Sequence, residues 1–334
     1  MAKALGVDWL ERIEIAGITG DSLAALQNRV LPSYIAGRRW YGAKDAGPPA
    51  VRFLDLAGFE GAGEEVVLAV VAARPPGRPE QRYFLPLALV WDDAPSAPGD
   101  VIAEIRDGAR AGRLVDAFAS DRFVAALVER LGTAGAQGSA TGAGLVFRSG
   151  PAAAGLGDRL RSAAITRSRA EQSNTSLRIG DVAMLKAFRQ LQPGIHPELE
   201  VSHFLSAVAG FANTPLLLGS LEWAPPGQPP TALCVMQALV PNQGDGWGHV
   251  LDRLAARLAE AGPAEALADP AFLDLAHVLG RRTAEMHRAF APEGEVAPAF
   301  RPEPVGEADL EGWAAAVQAL ADRALDALGP AVDR

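Results

Sequence analysis

The rhythm of apolar residues changes at Pro241. Ahead of it, short β-prone runs alternate with Gly- and Pro-bearing turns; beyond it, apolar residues recur every three or four positions. Strands first and helices afterwards is the order of an α+β chain.

Residues 22–31 predict a helix, and the runs 51–56, 66–72 and 82–90 predict strands of a small antiparallel sheet, with Arg74-Pro75-Pro76-Gly77 as one turn. Residues 101–105 are one further strand candidate. Leu114, Val115, Phe118, Val124, Leu127, Val128 and Leu131 fall at helical spacing and predict a helix from about Arg113 to Leu131. Residues 132–144 are small, polar and Gly-rich, the composition of a flexible loop. From about residue 157, the runs 163–169, 177–179 and 182–188 predict three strands. They surround the polar turn Glu171-Gln172-Ser173-Asn174-Thr175-Ser176. Residues 198–208 predict a helix with Val201, Phe204, Leu205 and Val208 on one face. Runs 215–223 and 232–240 complete that sheet, and helices are expected over 250–261, 270–291 and 307–328. No internal repeat is visible.

At 334 residues, with 49% hydrophobic and 21% charged residues, the chain has room for two or three domains and the make-up of an ordinary globular protein. A net charge of −9 with no lysine-rich stretch argues against nucleic acid or an anionic membrane surface as partner. The start, Met1 to Arg12, has acids where a signal peptide needs an apolar core, and runs such as 66–73 are far shorter than a membrane span. A single cysteine, Cys234, allows no internal disulfide and no cysteine-based metal site, which fits a reducing cytoplasm. The five histidines, His196, His203, His249, His277 and His287, show neither metal-ligand spacing nor a neighbouring nucleophile motif.

Positive charge is the informative quantity. Lys and Arg together number 31, yet the lysines are only Lys3, Lys44 and Lys186. Lys186 stands in the β-prone run Val182-Ala183-Met184-Leu185-Lys186-Ala187-Phe188, in a chain that elsewhere uses arginine. A compact ammonium and a planar guanidinium are not interchangeable at a phosphate. A nucleoside triphosphate needs a backbone cradle, a fixed cation, a group that orients the cation, an adenine slot and metal-binding carboxylates. Residues 171–240 offer the first four in order. Ser173, Asn174, Thr175 and Ser176 can turn amides and hydroxyls toward phosphate, or form a plain polar hairpin. Glu198 lies near the Val201/Leu205 stripe of the following helix and Glu200 to its side; either can orient Lys186 or sit solvated in the first turn. Met236-Gln237-Ala238-Leu239-Val240-Pro241 is an apolar strand running into proline, able to present backbone to an adenine edge or simply to leave the sheet.

A longer series of segments resembles one family. Leu31-Pro32-Ser33-Tyr34-Ile35-Ala36-Gly37-Arg38-Arg39-Trp40-Tyr41-Gly42-Ala43-Lys44 resembles the N-terminal cap of bacterial maltokinases, free-standing or fused to trehalose synthase. The polar turn, Leu185 to Arg189, Pro193 to Glu200, Phe211 to Pro215 and Val240 to Trp247 are similar to that family in the same order. The resemblance implies a cap over residues 1–90, an intermediate subdomain over 91–156, a protein-kinase-like N-lobe over 157–241 and part of a helical C-lobe over 242–334. It also implies phosphorylation of maltose at its anomeric hydroxyl with ATP and Mg²⁺, on a route from trehalose to α-glucan. In that frame Lys186 holds the α- and β-phosphates, Glu200 or else Glu198 pairs with it, Gln237 and Leu239 offer backbone to adenine, and Ser173 to Ser176 cover the phosphates.

The family's catalytic pieces, a His-Gly-Asp loop and an Asp-Phe-Glu segment, are strings found nowhere in these 334 residues. Phosphoryl transfer in this fold needs the base and metal-binding Asp residues they carry. The expectation is therefore a sugar-kinase polypeptide ending before its catalytic part, inactive alone, with the apolar faces of its last helices uncovered. An aminosugar kinase with the same cap is one alternative; a non-catalytic nucleotide-binding or docking module working with trehalose synthase is the other.

Overall fold

The computed structural model describes residues 9–332 except 16–19, 93–100, 168–172, 262–269, 293, 295–296 and 302. It divides into two compact units, Met1–Pro270 and Ala271–Arg334.

The first unit is built on two antiparallel sheets. One holds β1 (Glu14–Ile15), β2 (Ala50–Gly58), β3 (Val66–Arg74), β4 (Gln81–Phe84), β5 (Leu87–Trp91), β6 (Val101–Asp107), β7 (Arg110–Asp116) and β13 (Gln190–Leu191). Their spatial order is β1-β6-β7-β5-β3-β4-β13, with β2 also pairing β3. β3 has neighbours on both edges, and its Val/Leu/Ala run is buried from Val66 to Ala73. The run predicted as one strand over 82–90 is two, because Pro86 has no N–H to give a ladder. Against this sheet lie α2 (Ser22–Ala25), a π-helical turn and α3 (Leu31–Ala36), burying Leu26, Leu31 and Ile35. The Asp21 carboxylate caps α2 by accepting from the amides of Leu23 and Ala24.

Two expectations fail here. Residues 110–116 are strand, and the helix α4 spans only Asp121–Thr133. Leu114 pairs with both Leu89 and Ala103, so ladders on two sides override its helical spacing, and the helix waits for the Ser120 cap, which accepts from Phe123 N. The Gly-rich stretch is an ordered hairpin, β8 (Gly135–Gly138) and β9 (Gly144–Ser149), held by partners distant in sequence. Gln137 Nε2 donates to Gly58 O at 2.7 Å, and Ala140 N donates to Leu56 O at 2.8 Å.

The second sheet adds β10 (Ile165–Arg167), β11 (Asn174–Ile179), β12 (Ala183–Phe188), β14 (Leu217–Ala224) and β15 (Thr231–Ala238). The order is β10-β11-β12-β15-β14-β9-β8. Between β13 and β14 comes α6 (Pro197–His203), which widens into a π-helical turn over Phe204–Val208. Three strands, a helix and a strand pair inserting its second member beside the lysine strand is the layout of a kinase-like N-lobe. The sheets join where β12 ends at Phe188 and β13 begins at Gln190, which pairs with Tyr83 of β4. One residue, Arg189, spans the joint.

α7 (Gly246–Ala261) closes the first unit, with Trp247, Leu251, Leu254 and Leu258 exposed. The second unit contains α8 (Pro270–Ala289) and α9 (Glu307–Val332), whose Leu275, Leu279, Trp313, Val317, Leu320 and Leu325 are also exposed. Phe290 and Phe300 stack within it, 6.2 Å between ring centres. Among the described residues no helix is long and apolar enough to cross a membrane.

Candidate functional site

Side chains alternate along β12, so Met184, Lys186 and Phe188 leave one face while Leu185 and Ala187 pack inward. α6 lies over the first face. Lys186 Nζ donates to Glu198 Oε2 at 2.9 Å, with side chains 28% and 30% exposed. Glu198 and Ser202 are four apart and share a helix face, and Ser202 Oγ accepts from Gln237 Nε2 of β15 at 2.8 Å. Glu200 sits about 200° further round the same helix, so the helical wheel, and not the family resemblance, identifies the partner of Lys186.

The start of α6 is built around His196. Its Nδ1 accepts from Glu198 N at 3.3 Å, Pro197 occupies the first helical position, and the imidazole stacks on Phe188 at 3.9 Å between ring centres. Burial pushes the His196 pKa below the usual histidine value; Glu198 opposes the shift and Lys186 adds to it. A neutral ring is what the capping bond requires, since Nδ1 must keep a lone pair.

Of the polar turn, Glu171 and Gln172 lie outside the described residues. Ser173 occupies a bend, but Asn174, Thr175 and Ser176 belong to β11, facing Phe188, Ala187 and Lys186 in the ladder. Ser176 is buried. Thr175 Oγ1 accepts from Arg189 Nε at 2.7 Å. Asn174 to Ser176 are thus strand where turn amides were expected, because ladder pairing with β12 begins at Asn174, and Ser173 stays in the bend ahead of it. Leu239 needs a similar correction. Its N–H donates to Val182 O at 2.9 Å and that of Ala238 to Leu216 O at 2.8 Å, so Leu239 can meet a ring edge only through its carbonyl. Gln237 remains in the ladder opposite Met184.

Two residues to which the sequence alone assigns no role, Arg189 and Asp55, organise the region. Arg189 is 3% exposed; its Nη2 meets Asp116 Oδ2 at 2.7 Å, its Nε holds Thr175, and its guanidinium lies 4.7 Å from the centre of the Phe118 ring. Trp40 and Tyr41 of the cap-like segment are buried, with Trp40 5.8 Å from the same guanidinium. Asp55 is 4% exposed and accepts four bonds: Leu56 N, Thr141 N, Ser139 Oγ and Trp223 Nε1. A register shift between Phe53 and Asp55 turns this carboxylate inward, onto the face that an even alternation would deny it. The available signal was an acid inside the apolar run Phe53-Leu54-Asp55-Leu56.

The arrangement offers a fixed ammonium, with its carboxylate partner, on a strand beside a helix, and this can hold phosphate oxygens. Among the described residues no group of three or more His, Cys, Asp or Glu side chains comes together as metal ligands.

Residues 34–119 match the family model described as the Maltokinase N-terminal cap domain. Over these residues the chain is similar to a maltokinase cap. Its cap sequence holds Trp40, Tyr41 and every strand from β2 to β7. Over 141 residues the chain is 30% identical to a glucosamine kinase of Mycolicibacterium smegmatis, covering 42% of this chain and 34% of that protein. The solved structure of a glucosamine kinase in complex with glucosamine, ADP and inorganic phosphate superposes with a TM-score of 0.53 at 24% identity, over 92% of this chain. A second crystal form of glucosamine kinase gives 0.54 at 22% identity. These likenesses show a shared fold. The chain spans 59% and 58% of their lengths.

Proposed function

We propose that this chain carries the nucleotide-gripping part of an ATP-dependent sugar kinase. The single observation supporting it is the 2.9 Å pair of Lys186 on β12 with Glu198 on α6, the strand-and-helix ion pair that phosphoryl transfer in this fold depends on. Lys186 holds the α- and β-phosphates, Glu198 orients it, Ser173 in the bend ahead of β11 covers the phosphates, and the backbone around Gln237 and Leu239 borders the adenine. The cap runs to about residue 119, since β6 and β7 lie in its sheet. α4 and the β8–β9 hairpin form the linking section, the N-lobe ends near 241 and the helices after it are C-lobe.

The acceptor is maltose, phosphorylated at its anomeric hydroxyl in the cytoplasm on the route from trehalose to α-glucan, a reading supported by the maltokinase-type cap. An amino sugar is the second acceptor reading, supported by relatives named glucosamine kinase. Mg²⁺ accompanies ATP in such an enzyme, but the described residues offer no carboxylate cluster that fits it. These 334 residues bind ATP and transfer no phosphate unaided, having neither a His-Gly-Asp nor an Asp-Phe-Glu string. The exposed stripe Trp247, Leu251, Leu254 and Leu258, at helical spacing on α7, favours a docking role beside nucleotide binding, with trehalose synthase as one partner.

The test is a nucleotide titration paired with a transfer assay on maltose and glucosamine. Saturable ATP binding without sugar phosphate above a no-protein control is expected. Sugar phosphate formation would overturn the claim of no transfer, and absent binding would overturn the grip.

A further inference from the structure

We infer that the Gln237 side chain is a positioning residue for the Lys186–Glu198 pair, acting through Ser202; this rests on the nucleotide reading above. α6 is only seven residues long before it widens at Phe204. A helix so short has little stability of its own, so its rotation and register are set by what ties it down. The sheet ties it at two points one turn apart: Lys186 to Glu198 at 2.9 Å, and Gln237 Nε2 to Ser202 Oγ at 2.8 Å.

Both ties leave the same face of the sheet. Gln237 is opposite Met184 in the ladder, Met184 is two residues from Lys186, and cross-strand partners share a face. With the Glu198 tie alone, only the His196–Phe188 stack and the apolar packing of Leu199 resist a roll of α6 that swings that carboxylate off the ammonium. The second tie blocks the roll. Packing alone gives no reason for it: Ser202 is 6% exposed inside a helix, where serine is a poor former, and an apolar pair of similar shape would be nearly neutral in stability. Gln237 is also the next-to-last residue of β15, where the strand turns toward the segment proposed to border adenine. One side chain therefore connects the base-side strand to the helix that orients the phosphate-side lysine.

The test uses the full 334-residue chain with Gln237→Leu, Ser202→Ala and both together. Amide exchange over residues 198–203, without nucleotide, should speed up in each variant. Affinity for a fluorescent ATP analogue should fall roughly fivefold in each single variant and no further in the double, while affinity of Ser202→Ala for the matching adenosine analogue stays unchanged. Equal losses for both analogues would mark a general structural defect, and unchanged exchange with unchanged ATP affinity would show no tether; either result overturns the inference. Faster exchange in a chain whose parent fails to bind the ATP analogue would support the tether and overturn the nucleotide reading instead. Ser202→Ala, the smaller change, decides the matter if Gln237→Leu does not fold.

Discussion

Arg189 and Asp116 meet at 2.7 Å between the two sheets, their side chains 4% and 5% exposed. Burying two charges is costly, and the site offsets that cost with further bonds: Arg189 Nε to Thr175, and Phe118 N to the Asp116 carboxylate. Removing one partner strands the other charge. Asp116→Ala should therefore lower unfolding free energy by about 3–5 kcal/mol, while the double change Asp116→Leu with Arg189→Met should lose less. Urea denaturation of the three proteins checks this; a double variant no more stable than the single would contradict it.

Asp55 is the second joint, tying β2 to the β8–β9 turn and to Trp223 of β14. Trp223→Phe keeps most of the ring but withdraws a donor from a buried carboxylate, so a loss of about 1–3 kcal/mol is expected. Ser139→Ala should lose a similar amount. Because both act on Asp55 Oδ2, the double variant should depart from additivity. Strict additivity in thermal melts would show that the two bonds are independent.

His196 supplies a pH dependence with a defined sign. Its folded pKa lies below the ordinary value of about 6.5, so between the two values the unfolded chain binds more protons. Stability should fall as pH drops below about 6.5, levelling off once the folded group also protonates. His196→Asn keeps a capping acceptor and removes the titration. Melting temperatures from pH 7.5 to 5 should slope less steeply in that variant, and identical slopes would rule His196 out as the source.

Cys234 is fully buried in β15, and burial pushes its thiol pKa far up. The thiol should be inert to a thiolate-selective reagent in the native protein and react only on unfolding. Stoichiometric labelling under native conditions would contradict the packing of that strand.

Much of this was legible from residue type and period. Lys186 stood out as a lone ammonium on an apolar strand among arginines, and the helical wheel separated Glu198 from Glu200. What escaped depends on contacts distant in sequence. Residues 110–116 have helical spacing but two strand neighbours, one of them β5, about two dozen residues upstream in the ladder. The Gly-rich hairpin is ordered by Asp55 and Gly58, far from it in sequence. Arg189 lies in the family-like run Leu185 to Arg189, but its burial against Asp116 comes from a strand distant in sequence.

The central claim is that Lys186, oriented by Glu198, holds the phosphates of ATP. Calorimetric titration of ATP with Mg²⁺ into the parent chain, Lys186→Ala, Glu198→Gln and Glu200→Gln tests it directly. The account predicts saturable binding by the parent and Glu200→Gln, weaker binding by Glu198→Gln and none by Lys186→Ala. Equal affinity in all four, or no binding by the parent, would contradict it.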